Sequence, residues 1–192
     1  MSRQRPVEPG CACQSRRRFL RGLAIGLPAV VVARSARASD DDCGLRKLHL
    51  ISTHTGEQLE ARYFEGGVYR PDQLGMLDWL LRDHRTGDIH PIESRLLDLL
   101  HELAAAAGRE PHYEVISGYR SPTTNAMLVA TTDGVSGRSL HMEGRAVDVR
   151  LVGFPTARFR DLALAKQAGG VGYYPMSDFV HLDTGSVRSW SG

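Results

Sequence analysis

The chain has 192 residues, 42% of them hydrophobic, with 24 Lys+Arg against 22 Asp+Glu and a formal net charge of +2. That length suits one domain with a sizeable core. No basic patch stands outside the N-terminal region, which argues against a nucleic-acid partner.

The first predicted element is a leader over residues 1–38. Arg16, Arg17, Arg18 and Arg21 precede an apolar stretch from Gly22 to Ala33, and "ARA" (36–38) supplies the small residues of a cleavage site. The apolar stretch is too short for the ~30 Å of a bilayer core. "SRRRFLR" (15–21) resembles the twin-arginine consensus, so transient use of the twin-arginine export machinery and a periplasmic location are expected. No lipid-attachment cysteine stands at the junction, so the mature chain is expected to be soluble, with no membrane span. Removing 1–38 takes eight of the 24 basic and one of the 22 acidic side chains, leaving a net charge of about −5. Cys11 and Cys13 leave with it. Cys43 is then alone, and any metal site must use His and carboxylates.

Residues 39–192 read as a single domain, after a solvated lead-in "SDDDC" (39–43). "LRKLHLIS" (45–52) alternates as a strand does, and 57–70 reads as two strands around Gly66-Gly67. Residues 71–85 begin with Pro and repeat leucine at helical spacing. Residues 92–109 form the clearest helix, with Leu96, Leu99, Leu100 and Leu103 on one stripe and Gly108 as stop. A strand over 112–120, a short helix over 123–130, a strand over 145–151 and a helix over 156–168 follow. Two strands, 169–174 and 178–184, close the series. Helices interleaved with short strands predict an α+β sheet with helices on one side.

"GRSLHMEGRAVDVRL" (137–151) carries the chemistry. His141 and Asp148 are seven positions apart. On a helix that is about 10 Å at ~1.5 Å per residue, too far for two ligands each ~2.0–2.2 Å from zinc. On a straight strand the odd spacing puts them on opposite faces. They can share a metal only if the chain reverses between them, and Gly144 stands at that place. Beyond it Val147, Val149 and Leu151 point one way, Asp148 the other. In "SDFVHLDTG" (177–185) Val180 and Leu182 form an apolar face, while Phe179, His181 and Asp183 share the opposite one. Pairing these two strands would gather His141, Asp148 and His181 as a His₂Asp set with a fourth position left for water, as in catalytic zinc sites. The alternative is a buried His–Asp pair without metal.

"SLHMEGRAVD" (139–148) resembles the Ser-x-His-x-x-(Gly)-x-Ala-x-Asp signature of the zinc D-Ala-D-Ala peptidases, members of the LAS metallopeptidases. "SGYRS" (117–121), "GGVGYYP" (169–175) and "FVHLDTG" (179–185) are similar to the murein endopeptidase K-like branch, exported zinc enzymes that cut peptide cross-links in peptidoglycan. The resemblance implies a LAS or hedgehog-like fold whose small antiparallel sheet carries the site, within a zinc peptidase domain over 39–192. It implies one Zn²⁺ per chain on His141, Asp148 and His181, Arg120 on substrate and the developing oxyanion, and Ser139 beside the substrate. Tyr119, next to Arg120, is a cleft-lining candidate or a rim residue. The family places Glu or Asp three residues before the last histidine, which is Asp178 here. Asp183 is the rival base, or a carboxylate that orients His181; Glu143 or another group is a third option.

Other histidines carry bland expectations. His49 and His101 read as packed or surface residues, and His84, His90 and His112 as solvated ones. "HTGE" (54–57) lacks the Cys pair of a zinc finger. The expected substrate is a peptidoglycan stem-peptide cross-link between two diaminopimelate residues, with D-Ala–diaminopimelate bonds second; this choice follows from the resemblance alone. A D-Ala-D-Ala carboxypeptidase, an L-Ala-D-Glu peptidase and a non-catalytic zinc-containing wall-binding module remain the alternatives.

Overall fold

The computed structural model describes residues 44–132 and 135–192. The expected leader and Cys43 lie outside the described residues. In the first strand, β1 (Arg46–Ser52), Leu48 and Leu50 are fully buried while their neighbours face the other way. It pairs antiparallel with β2 (Gln58–Glu65), and β2 with the two-residue β3 (Val68–Tyr69). Gly66 and Gly67, at φ 60° and 84°, make the turn between them, a left-handed pair suited to glycine.

Helices α1 (Pro71–Leu80) and α2 (Ser94–Ala106) then carry the chain back across the sheet. The next strand, β4 (His112–Ser117), therefore lies parallel to β1. Helix α3 (Pro122–Thr131), a 3₁₀ turn (Leu140–Glu143), β5 (Ala146–Leu151), α4 (Thr156–Lys166), β6 (Gly170–Tyr174), β7 (Phe179–Asp183) and β8 (Arg188–Ser191) complete the chain.

Among the described residues the sheet has eight strands, in the order β3-β2-β1-β4-β5-β7-β6-β8. The expectation of a small antiparallel sheet is corrected: β1/β4 and β6/β8 are parallel. The first parallel pair follows from the long helical crossover, and the second from β8 returning past β7 to the free edge of β6. Strand β8 has no apolar alternation, and three of its four residues are exposed. It therefore carries no sequence signal of a strand.

One sheet face is apolar and the other polar. Leu50, Tyr63, Tyr113, Val149 and Val180 belong to one core cluster with Leu96, Leu100 and Phe159 of α2 and α4. Helix α1 packs on β2, α2 on β1, and α4 on β5, β6 and β7. Helix α3 adds nothing to this core; its buried residues, Thr124 and Asn125, are polar. Among the described residues no helix is long and apolar enough to cross a membrane.

Two expected elements end early for one reason. The Leu81 carbonyl accepts the Tyr119 N–H at 2.7 Å, so the chain after α1 is drawn alongside the chain after β4. Gly118 sits in that contact, where a Cβ would lie 2.9 Å from the Leu81 Cβ. Just beyond, the Asp83 carboxylate accepts the Ser121 N–H at 2.8 Å and the Arg85 N–H at 2.9 Å. Asp83 is 1% exposed. Burial opposes its ionisation, but hydrogen bonds from Thr124, Ser121 and Arg85 outweigh burial and lower its pKa to about 2.

A carboxyl whose folded pKa lies below its unfolded value stabilises above the unfolded pKa and loses that contribution as pH falls through the folded one. Asp83→Asn is therefore expected to cost on the order of 2 kcal/mol at neutral pH. Denaturant titrations of both chains should show the gap closing between about pH 4 and pH 2.

Candidate metal centre

Strand register builds the first half of the site. Asp148 on β5 lies directly opposite His181 on β7, flanked by the apolar pairs Val147–Leu182 and Val149–Val180. Because side chains alternate, burying those valines and leucines sends Asp148 and His181 together to the opposite face. This is the pairing expected from the two inside-out patterns.

The 3₁₀ turn supplies the third residue. The Ser139 hydroxyl accepts the His141 N–H at 3.4 Å at the start of the turn, and Gly144 ends it at φ 64°. A Cβ at Gly144 would press on the Pro91 carbonyl and lie 3.0 Å from His90 Nδ1. Glycine is thus required there both for its backbone angle and for space. The chain does reverse at this point, and His141 folds back over the start of β5.

His141 Nε2 is 3.2 Å from His181 Nδ1 and 3.3 Å from Asp148 Oδ2, and His181 Nδ1 is 2.8 Å from Asp148 Oδ1. His141, Asp148 and His181 are 2%, 7% and 9% exposed. The remaining ring nitrogens are anchored from outside: His141 Nδ1 bonds the Gly118 carbonyl at 2.7 Å, and His181 Nε2 bonds Asp183 Oδ2 at 3.1 Å. An imidazole that donates on its outer side presents a lone pair on its inner side, which is how protein ligands are prepared for a metal.

The electrostatics agree. Burial works against ionisation of Asp148, yet His141 and His181 hold it charged, far below the usual carboxylate range. Burial also disfavours a protonated His181, but hydrogen bonds and charge from Asp148 and Asp183 prevail and raise it to about 9. The surroundings thus favour positive charge at this point. Two nitrogens and one carboxylate oxygen within 4.8 Å of one another fit a divalent cation, and the donor set suits borderline metals such as zinc.

Arg120 reaches the edge of the cluster, with Nη2 3.8 Å from Asp148 Oδ2 and Nη1 donating to Asn125 Oδ1 at 3.4 Å. Its Nε is buried without a partner, and burial lowers its pKa. Ser139 serves the His141 turn and is half-buried. Tyr119 stacks on His90 with ring centroids 4.8 Å apart.

The carboxylates proposed as base are engaged elsewhere. Asp178 is exposed in the β6–β7 turn at φ 51°. Its carboxylate accepts from Thr156 at 2.6 Å and lies 3.7 Å from Arg150, outside the three-residue group. Its position three residues before His181 has the parity of Val180 rather than His181, and the turn directs it towards the start of α4. Glu143 pairs with Arg145 at 3.0 Å. Asp183 is fully buried and accepts from His181, from the Gly170 and Gly185 amides, and twice from Arg188. That is the arrangement of an orienting carboxylate.

His49 and His112 stack on each other, as do His54 and His84, and His101 bonds the Lys47 carbonyl; none belongs to the group of three. His84, His90 and His112 are half-buried, where solvated side chains were expected, because each has found an aromatic partner. Arg188 and Trp190 were missed. The available signal was the glycine pair at 170 and 172 within β6, since glycine inside a strand marks the close approach of a neighbour.

A family model described as "Peptidoglycan L,D-endopeptidase MepK" matches residues 41–190. The Escherichia coli K12 protein named peptidoglycan L,D-endopeptidase MepK is 39% identical over 176 residues, covering 92% of this chain and 97% of that protein. A Haemophilus influenzae protein named probable peptidoglycan L,D-endopeptidase MepK is 36% identical over 182 residues, covering 93% and 97%. No solved structure matches. With a match of this extent and a His–Asp–His group of donors in its sheet, the chain belongs to the MepK family of metal-dependent peptidases.

Proposed function

We propose that this protein is an exported zinc peptidase that hydrolyses peptide cross-links of peptidoglycan, chiefly those between two diaminopimelate residues, with D-Ala–diaminopimelate bonds secondary. The observation that carries the reading is the buried meeting of His141 Nε2, His181 Nδ1 and the Asp148 carboxylate. The names of the relatives support peptidoglycan as the substrate and an L,D bond as the one cut, and the leader over 1–38 supports export to the periplasm by the twin-arginine route.

His141, Asp148 and His181 would hold the zinc, which when bound supplies Lewis acidity and water of lowered pKa. Arg120 acts from the side of Asp148. Its guanidinium stays charged, has an unpartnered Nε and is largely out of water, so it can stabilise negative charge on a carbonyl oxygen and fork a substrate carboxylate. Ser139 and Tyr119 flank this region and would contact the stem peptide. Asp183 holds His181 in one orientation, and Asp178, bonded to Thr156, is not assigned as the proton acceptor.

His141→Ala is expected to abolish stoichiometric zinc uptake and reduce turnover by more than the roughly 10–100-fold typical of outer partners of a metal site. Elemental analysis and a muropeptide assay read the two effects. Asp178→Asn is expected to keep zinc and to stay close to the parent in turnover, because its carboxylate faces Thr156 and Arg150 rather than the three donors; a large loss of turnover with zinc retained would restore Asp178 as the base. Digestion of purified sacculi, with and without chelator, tests the substrate. Loss of cross-linked dimers supports this function, shortened stems mark a carboxypeptidase, and bound but intact sacculi mark a wall-binding module.

A further inference from the structure

We propose that Arg188, on the C-terminal strand β8, is a positioning residue that sets His181 for metal binding by holding Asp183. The inference rests on reading His141, Asp148 and His181 as a metal centre, and extends that site to a strand the sequence pattern does not announce.

The chain of contacts is continuous. Arg188 Nη2 donates to Asp183 Oδ2 at 2.7 Å, and Arg188 Nη1 donates to Asp183 Oδ1 at 3.1 Å. This two-point fork fixes the plane of the carboxylate as well as its position. Oδ2 is also the oxygen that meets His181 Nε2. The Gly170 and Gly185 amides reach only Oδ1, at 3.0 and 2.8 Å. Without the guanidinium, Oδ2 keeps only His181 among the described residues, and the carboxylate is otherwise held through Oδ1 alone by the two amides. The contact that fixes the outer nitrogen of His181 then loosens, and with it the aim of Nδ1 into the cluster.

The surrounding chain makes room for this assembly. A Cβ on Gly170 would lie 2.6 Å from Arg188 Nη1, and one on Gly185 would lie 3.0 Å from Asp183 Oδ1 and 3.3 Å from Arg188 Nη1. A Cβ on Gly172 would lie 2.6 Å from the Trp190 ring. That indole packs against the His181 ring with centroids 5.1 Å apart and donates to the Tyr174 hydroxyl at 2.9 Å. The Arg188 guanidinium lies 5.1 Å from the Trp190 ring centroid, so it is held from a second side.

The Arg188 side chain is 43% exposed, whereas that of Asp183 is fully buried. Arg188 is open to water on one side, but Asp183 is not, so removing the guanidinium costs some global stability as well. That cost is limited by the two amides and His181, which still hold the carboxylate. The main worth of the pair lies in direction. Lysine has the charge but not the fork.

Full-length wild type, Arg188→Met and Arg188→Lys are compared by zinc titration against a chromophoric chelator, by melting of the zinc-free proteins, and by kcat and KM on muropeptide dimers. Outer partners of metal ligands typically govern affinity by about 10–100-fold. Arg188→Met is expected to weaken zinc binding within that range and to lower kcat more than KM changes. Its zinc-free melting temperature is expected to fall, but by less than the loss of zinc affinity, and Arg188→Lys should fall between the two. Wild-type zinc affinity in Arg188→Met overturns the inference, as does a loss of affinity no larger than the loss of zinc-free stability. If Arg188→Met does not fold, Arg188→Lys decides: weakened zinc binding supports the inference, and unchanged binding overturns it. A wild-type chain that takes up no zinc overturns the reading of the site itself, and this extension with it.

Discussion

A single buried carboxylate governs this structure. Asp148 sits on a central strand with almost no contact with water, between two imidazoles. Burying an unpaired carboxylate costs several kcal/mol, so everything around it must supply compensating charge or hydrogen bonds. The β5–β7 register does so by setting His181 opposite, and the 3₁₀ turn by folding His141 back. A slip of one residue would send Asp148 into the apolar core and the neighbouring valines into the cleft. Packing and chemistry are therefore fixed by the same alternation.

Around that centre the protein adds support in widening rings. The Gly118 carbonyl and Asp183 hold the outer nitrogens of the two histidines. Glu93, just before α2, ties the ends of both strands together. It accepts from the Thr184 hydroxyl and lies 3.4 Å from Arg145 Nε, while Arg145 donates to the Thr184 carbonyl at 3.1 Å. Its own N–H donates to the Gly144 carbonyl at 2.9 Å. The mouth of the 3₁₀ turn is thus bound to the start of α2. A site built this way rests on rigid elements, which is what precise ligand geometry demands.

Much of this is legible in the sequence. The alternation in 145–151 and 179–184 predicted which residues share a face, and Gly144 predicted the reversal between His141 and Asp148. The leucine stripe of α2 and the glycine turn between β2 and β3 also stand where their patterns placed them. The mixed sheet was less legible, because whether β4 lies parallel or antiparallel to β1 depends on the path of two helices. Asp178 shows the limit of spacing. Three residues before His181 is a fixed distance along the chain, but its side-chain direction was decided by a left-handed turn and by Thr156 on α4.

What the sequence determined by itself was local and periodic: the two strand faces, the turn at Gly144, and the three residues able to donate to a cation. What the tertiary structure decided was the partnership of groups far apart in the chain. Asp183 became a buried acceptor because β8 lies along β6 and brings Arg188 to it, and Leu81 ended a helix because Tyr119 claimed its carbonyl. Such pairings depend on which backbone edges remain free after the core has packed, and no local pattern of residues encodes that outcome.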